Sequence, residues 1–266
     1  MNDLITNEII KFVNGYQESE PTDTQWLEPL VGFADAEDPL FAKLHSAVGP
    51  THAMPGDLLE GARSIIAYFI PFDKSISLKN KGGYYAAKEW AIAYISTNQL
   101  IIDLNNHLSE ILEKKGNRCT LLPPTHNFDK KKLISDWSHR HVAFIAGLGT
   151  FGLHKLLITD KGCCGRLGSI VTDAVCTPSI RPESQYCLYK YDKSCTACVK
   201  NCVTGALKVD SFDRQTCYNI LLVNDQMYKR YGLADVCGKC TCVVPCSFHN
   251  PVKNSGKTTT SDTRLP

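Results

Sequence analysis

The chain has 266 residues, 43% of them hydrophobic and 21% charged, which is enough apolar material to build one large or two modest globular domains. Its formal net charge of +2 gives no broad basic field, so a nucleic-acid partner is not expected, although composition does not exclude one. The longest apolar run, residues 64–72, has the length of a strand and is too short to span a bilayer.

Three elements can be predicted in the first half of the chain. Residues 55–62 form a short helical turn, and residues 64–70 form a buried strand because they are β-branched and aromatic. Residues 85–115 form a long helix, since apolar side chains recur there at threes and fours. Gly116 stands where a left-handed residue would end this helix.

Further elements follow around the middle of the chain. Ser138 begins a helix through residue 146, which Gly147 would close. Residues 155–159 and 169–173 are two strands joined by the turn at residues 162–165. Helices and strands alternate, so we predict a mixed α+β fold, an α/β sandwich on a central sheet rather than a helical bundle.

The segment 146–152 has glycines spaced as G-x-G-x-x-G, at Gly147, Gly149 and Gly152. Glycine at these positions would let backbone amides close on a phosphate or on the edge of a flat cofactor. A dinucleotide site is not expected, because the motif follows a helix instead of a strand and no acidic residue follows at the usual distance. A tight helix-to-strand turn explains the glycines equally well.

The cysteines near the C-terminus have the spacing of iron–sulfur ligands. Eight of them predict two 4Fe–4S clusters: Cys187, Cys195, Cys198, Cys202, Cys217, Cys237, Cys240 and Cys246. The predicted pairing is crossed, as in two-cluster ferredoxins. The first cluster would use Cys187, Cys195, Cys198 and Cys246, and the second Cys202, Cys217, Cys237 and Cys240. Cys242 could replace Cys240 or Cys246.

Zinc sites, disulfides and haem attachment explain these cysteines less well. Zinc bound by the two C-x2-C units is the main alternative, but it leaves three cysteines without a role. The chain starts with polar and acidic residues and no apolar signal, so we expect a reducing cytoplasm, where disulfides are rare. Haem attachment is not expected, because no histidine follows Cys198 or Cys240. Cys163 and Cys164, adjacent in a turn, are expected to lie outside the metal sites.

Cysteine density divides the chain into parts. We predict a cofactor and substrate domain over residues 1–182, a double-cluster domain over 183–252 and a flexible tail over 253–266. The prolines near residues 178–182 mark the connector. A Ser-Gly-Lys-Thr segment in the tail lacks the upstream glycine of a phosphate-binding loop and is interpreted as chance.

Together these segments resemble the epoxyqueuosine reductase family, whose wider relatives include cobalamin-dependent reductive dehalogenases. The resemblance is carried by P-x-D-L-L-x-G-A-R-S-I-I-A-Y from Pro55, A-G-L-G-T-F-G from Ala146, L-G-S-I-V-T from Leu167 and the cysteine module. It implies a nitroreductase-like domain that holds cobalamin, with flavin as an alternative, and a ferredoxin-like domain with two 4Fe–4S clusters. Such an anaerobic-type oxidoreductase would transfer electrons from a low-potential ferredoxin or flavodoxin to a small organic substrate.

The resemblance and the side-chain chemistry together nominate site residues. Cofactor contacts are expected from Arg140, Gly147, Gly149, Gly152 and Ser169, and proton donation from Asp136, His139, His141 or Tyr84.

The chain also departs from the family's pattern. Thr150, Leu153 and His154 replace the family's tryptophan, lysine and asparagine. The family's general-acid aspartate has no secure counterpart in residues 133–141, and the C-terminal helical repeats that help many members bind tRNA are absent. Epoxyqueuosine itself is therefore not the expected substrate. The alternative function is an electron-transfer or assembly protein whose first domain docks a partner without chemistry.

Overall fold

The computed structural model of the protein describes residues 1–19 and 22–253, so the predicted tail beyond residue 253 lies outside the described residues. The strands are β1 (Leu30–Asp35), β2 (Ser64–Pro71), β3 (Cys119–Thr120), β4 (His126–Asp129), β5 (Ile134–Trp137), β6 (Gly149–Phe151), β7 (Leu157–Thr159) and β8 (Gly165–Thr172). The helices are α1 (Asn2–Ser19), α2 (Leu40–Ala47), α3 (Pro55–Leu58), α4 (Lys74–Lys79), α5 (Lys88–Glu113), α6 (His139–Ile145), α7 (Leu188–Asp192), α8 (Ala197–Lys200) and α9 (Arg214–Tyr228), followed by a 3₁₀ turn (Lys229–Tyr231).

A four-stranded antiparallel sheet, in the order β1–β2–β8–β3, forms the centre of the fold. All eight residues of the central strand β2 are buried. Neighbouring residues of a strand point to opposite faces, so β2 and β8 supply two cores. Ile66 and Ile170 join α1 and α5 in one core, while Ile65 and Val171 join α2 and α6 in the other. The result is the predicted mixed fold, with helices on both faces of a central sheet.

Several predicted elements are confirmed. The strand predicted at 64–70 is β2, and the long helix predicted at 85–115 is α5, which begins three residues later at Lys88. Gly116 has a left-handed φ of 77° just beyond α5. The helix predicted to begin at Ser138 is α6, and Gly147 closes it with a φ of 78°.

Ser138 stands at the N-cap position of α6, but its side chain does not cap the helix. The Ser138 hydroxyl does not accept a hydrogen bond from the first turn of α6; it lies 2.7 Å from Nδ1 of His141 instead. The other end of α6 is a Schellman motif. There the amides of Gly147 and Leu148 donate to the carbonyls of Phe144 and Ala143 at 3.1 and 3.0 Å.

The two strands predicted on either side of the turn at residues 162–165 exist, but they do not pair with each other. β7 pairs with β6, whereas β8 pairs with β2 and β3. The amides of Cys163 and Cys164 donate to the carbonyl of Ser247, each at 3.1 Å. This distant segment redirects the turn, which therefore leads from one sheet into the other.

A third core joins the two parts of the chain. It contains Leu153 and Ile158 together with Cys187, Cys198 and Leu207, from either side of the predicted boundary at residue 182. The connector is held to the edge strand β1, because the Ser179 amide donates to the Phe33 carbonyl at 2.9 Å. Among the described residues, no helix is long and apolar enough to span a membrane.

Candidate metal centre

The eight cysteines predicted as ligands lie between residues 187 and 246, on helices and in the loops that connect them. Cys187 precedes α7, Cys198 lies in α8, and Cys217 lies in α9, while the others lie in the connecting loops. All thirteen cysteines of the chain fall within the described residues, and each is a free thiol there.

The first group of thiols surrounds Cys198. Burial first, and then the negative charges of Cys246, Cys187 and Cys195, raise the pKa of Cys198 to about 12. Cys187 and Cys198 lie in the third core, and Cys246 packs against it. The fold therefore brings Cys187 and Cys246 to one core, although they lie 59 positions apart in the sequence.

The second group surrounds Cys217 and Cys240. Burial first, and then the charges of Cys237 and Cys202, raise the pKa of Cys217 to about 11. Burial also raises the pKa of Cys240, and the charges of Cys237, Cys217 and Cys198 act in the same direction with smaller effects. Cys198 of the first group lies in the third core, and Cys202 and Cys240 of the second group pack against that core, so the two groups are neighbours.

The spacing of the sulfur atoms bears on the kind of metal. Within the described ranges, one set of three or more candidate ligand atoms lies within 4.8 Å of one another, from His154, Cys163 and Cys246. A zinc ion with Zn–S bonds of about 2.3 Å would hold its sulfur atoms no farther apart than about 4.6 Å. Neither group of four cysteines is that compact, whereas a cubane binds each thiolate at a different corner.

His154 contacts the first group. The Leu156 amide donates to Nδ1 of His154 at 3.1 Å, so in the neutral ring the proton lies on Nε2. Nε2 is 3.5 Å from Sγ of Cys246, and its N–H is therefore the donor to that sulfur. The Cys163 thiol first, and then His154, stabilise the Cys246 thiolate and lower its pKa to about 5.

Sequence reasoning missed His154 and placed Cys163 outside the metal sites. The departure from the family's asparagine at position 154 was the available signal, but only the fold brings that side chain to Cys246. Cys242 lies elsewhere: it is 1% exposed, accepts a hydrogen bond from Nδ2 of Asn80 at 3.3 Å and neighbours Cys164.

The three glycines nominated for a cofactor are closely packed by the protein itself. A side chain at Gly147 would meet the Ile180 carbonyl oxygen at 2.8 Å, and one at Gly149 would overlap the Ile158 carbonyl oxygen. A side chain at Gly152 would meet the His154 ring at 2.6 Å. Close approach to the protein's own chain is therefore sufficient reason for all three glycines.

Ser169 and His139 belong to a closed hydrogen-bond network. Nε1 of Trp137 donates to the Ser169 hydroxyl at 3.0 Å, and that hydroxyl lies 2.8 Å from Nδ1 of His139. Nε2 of His139 lies 2.9 Å from the Pro123 carbonyl, so the neutral ring donates there and accepts from Ser169. Burial lowers the pKa of His139 to about 4.

His141 is similarly occupied. Its Nδ1 contacts the Ser138 hydroxyl, its ring centroid lies 4.8 Å from that of Phe151, and it is 7% exposed. Burial, followed by the charges of Arg140 and His52, lowers the pKa of His141 to about 3. Neither nominated histidine has the near-neutral pKa that suits a general acid, and each already has internal partners.

The remaining nominated residues are more accessible. Arg140 is exposed and donates to the Lys155 carbonyl at 3.3 Å. Burial raises the pKa of Cys217, and the positive charge of Arg140 opposes that rise, so the guanidinium lies near the second group of thiols. Asp136 accepts a hydrogen bond from the Thr51 hydroxyl at 2.7 Å.

Tyr84 lies on a separate loop and is 51% exposed, with its ring centroid 5.2 Å from that of Tyr85. Within the described part of the chain, no hydrogen bond, ion pair or ring contact joins Tyr84 to the other three nominated proton donors. The structure therefore does not assemble the four into one site.

Comparison with known proteins shows a shared fold. No protein-family model and no curated protein matches the sequence. The epoxyqueuosine reductase of Bacillus subtilis is 18% identical, covers 91% of this chain and 66% of its own, and superposes with a TM-score of 0.55. That of Streptococcus thermophilus is 17% identical, with coverages of 94% and 68% and a TM-score of 0.53.

A third structure, epoxyqueuosine reductase with a tRNA-Tyr epoxyqueuosine-modified stem loop, is 18% identical, with coverages of 91% and 66% and a TM-score of 0.53. The chain thus has the fold of epoxyqueuosine reductases and spans about two thirds of their length.

Proposed function

We propose that the protein is an epoxyqueuosine reductase-like iron–sulfur oxidoreductase that relays single electrons through two 4Fe–4S clusters. The observation that carries the proposal is that cysteines of both predicted ligand sets, Cys187, Cys198 and Cys246 of the first and Cys202 and Cys240 of the second, lie in or against the third core. In this proposal residues 1–182 form a nitroreductase-like substrate domain and residues 183–252 a ferredoxin-like cluster domain.

The donor set suits iron–sulfur clusters. In each group, burial and the neighbouring thiolates make deprotonation unfavourable, as the raised pKa values of Cys198 and Cys217 indicate. Positively charged iron would offset this repulsion and hold the thiols deprotonated, which would couple metal binding to the folded arrangement. The proposed ligands are Cys187, Cys195, Cys198 and Cys246 for the first cluster and Cys202, Cys217, Cys237 and Cys240 for the second.

Contacts within the chain would adjust each cluster. His154 donates to the sulfur of Cys246, and the Leu207 amide donates to Sγ of Cys202 at 3.3 Å. Hydrogen bonds to the ligand sulfurs stabilise the more negative, reduced cluster and raise its potential. The proximity of Cys198 and Cys240 gives a short path between the two clusters.

The cobalamin implied by the resemblance does not fit the residues nominated for it. Gly147, Gly149 and Gly152 pack against the protein's own chain, and the Ser169 hydroxyl is fully buried between two side chains. Arg140 is exposed as a residue, but its guanidinium donates to the Lys155 carbonyl and burial lowers its pKa. Neither cobalamin nor the alternative flavin is therefore part of the proposed function.

The substrate is proposed only by class. A small organic molecule was expected from the sequence, but one structural neighbour is a complex with a modified tRNA stem loop. The proposed electron acceptor is therefore either a small organic molecule or a modified nucleoside in RNA. Asp136, whose carboxylate is partly exposed, is the proposed proton donor.

The second candidate function is an electron carrier. The enclosed packing of the nominated cofactor residues favours it, because a carrier needs clusters but no organic cofactor. A modified tRNA stem loop added to dithionite-reduced anaerobic protein separates the two: reoxidation of the clusters supports the reductase, and clusters that stay reduced favour the carrier.

The clusters themselves are tested by composition. Anaerobically reconstituted protein is expected to contain about eight iron and about eight sulfide per chain, with the broad visible absorption of 4Fe–4S clusters. Zinc in place of iron, with no visible absorption, would refute the proposed function. Because the assay needs neither substrate nor donor, it tests the clusters alone.

A further inference from the structure

A basic and aromatic surface lies where the loop between α4 and α5 meets the end of α9. We call it the docking surface, and its members are Lys79, Lys81, Lys88, Lys229 and Arg230 with Tyr84, Tyr85 and Tyr231. All five cationic side chains are exposed. The carboxylate of Glu89 lies 3.4 Å from Lys79 and also interacts with Lys88, so one negative charge stands against the five positive charges of the surface.

The two halves of the docking surface are held together directly. The Tyr228 hydroxyl donates to the Ala86 carbonyl at 2.7 Å, and the Ala86 amide donates to Oδ1 of Asn224 at 3.2 Å. Nζ of Lys88 lies 5.2 Å from the centroid of the Tyr231 ring. The surface is therefore a preformed patch and does not depend on chance approach of two loops.

The docking surface is also hydrogen-bonded to the chain segment that carries Cys237 and Cys240. Nδ2 of Asn80, which begins the loop, donates to the Cys237 carbonyl at 2.9 Å. In the opposite direction, Nζ of Lys239, which lies between Cys237 and Cys240 in the sequence, donates to the carbonyls of Asn80 and Gly82. The exposed loop is thus one hydrogen bond from the backbone of a proposed cluster ligand.

We propose that this surface docks an acidic one-electron carrier protein of the ferredoxin or flavodoxin class, an inference that rests on the proposed function for the cluster beneath it. The reduced carrier passes one electron to the oxidised cluster of Cys202, Cys217, Cys237 and Cys240. The carrier is oxidised by one electron, the cluster is reduced by one, and no bond or proton is exchanged. Lysines and an arginine steer an acidic partner, while the tyrosines offer apolar contact for a transient complex.

RNA would also be attracted by positive charge and could stack on tyrosines. Proximity to a cluster ligand distinguishes the two partners: an electron donor must approach the cluster, whereas an RNA contact has no such requirement. The direct bonds from the loop to Cys237 and Lys239 therefore favour the electron carrier.

The test follows cluster reduction by stopped-flow absorbance with a reduced acidic flavodoxin in anaerobic holoprotein. Charge reversal by Lys81→Glu, Lys88→Glu and Arg230→Glu together is expected to slow reduction about tenfold or more at low ionic strength and to flatten its salt dependence. The triple Gln variant should show a smaller loss in the same direction. Reduction by dithionite, a small inorganic donor, should be unchanged in both.

The matched control is Lys43→Glu, Lys114→Glu and Lys115→Glu, three exposed lysines elsewhere whose reversal changes the net charge equally. Equal slowing in the control, or no slowing in the patch variant, would overturn the docking surface. So would a patch variant that loses binding to an RNA stem loop while flavodoxin reduces it normally. Failure of dithionite to bleach any of the proteins would instead refute the clusters.

Discussion

Replacing Ser169 by alanine distinguishes the network seen in the structure from the cofactor contact expected from the sequence. The hydroxyl is fully buried between Nε1 of Trp137 and Nδ1 of His139, at 3.0 and 2.8 Å. Its removal leaves two buried polar groups without that partner, each at a cost of about 1–2 kcal/mol. We therefore expect the free energy of unfolding to fall by about 2–4 kcal/mol.

The measurement is the thermal midpoint of anaerobic holoprotein, followed by far-ultraviolet circular dichroism. For a chain of this size the loss corresponds to a midpoint lower by about 5–15 °C. Iron content should be unchanged, because Ser169 contacts no cysteine of either group. Ser46→Ala, an exposed serine in α2, is the control and should change the stability by less than about 0.5 kcal/mol. An equally small effect at Ser169 would refute the network.

Three further perturbations have defined outcomes. Because burial lowers the pKa of His139 to about 4 while the unfolded chain keeps the ordinary value near 6.5, the free energy of unfolding should fall as pH decreases from about 6.5 to about 4. Urea titrations at several pH values should show a shallower fall for His139→Gln, and an unchanged slope would contradict the assignment. His154→Phe removes the donor to Cys246 and should lower the potential of that cluster by about 40 mV, the equivalent of about 1 kcal/mol for one electron. A redox titration showing no shift would exclude the hydrogen bond. Gly149→Ala should lower the thermal midpoint because its side chain overlaps the Ile158 carbonyl, and an unaffected midpoint would leave that glycine free for another role.

Local patterns predicted the elements that depend on local sequence. The continuous β-branched run of β2, the apolar period of α5 and the closing glycine after α6 each specify their structure within a few residues. The pairing of β7 was not predictable in this way, because the turn at residues 162–165 bonds to Ser247, more than eighty positions away. The same limit applies to Ser138, whose hydroxyl contacts His141 instead of capping the helix.

The candidate site likewise contains features that local sequence predicts and features that only the folded chain reveals. Spacing identified the eight cysteines as a set, since ligand motifs are short and local. The contact between His154 and Cys246 joins residues 92 positions apart and becomes visible only when the chain is folded. The glycine motif shows the opposite case: its spacing suggested a cofactor, yet packing against Ile180, Ile158 and His154 accounts for it.

The central claim is that two clusters are held by crossed ligand sets, and Cys202 tests it most directly. Cys202 follows Cys198 by only four positions, yet its negative charge raises the pKa of Cys217 and Cys237, after the larger effect of their burial. Electron paramagnetic resonance of reduced Cys202→Ser protein should show loss of the same cluster signal that Cys237→Ser loses, with the Cys198 cluster retained. Loss of one common signal in Cys202→Ser and Cys198→Ser, with the Cys237 signal intact, would contradict the account.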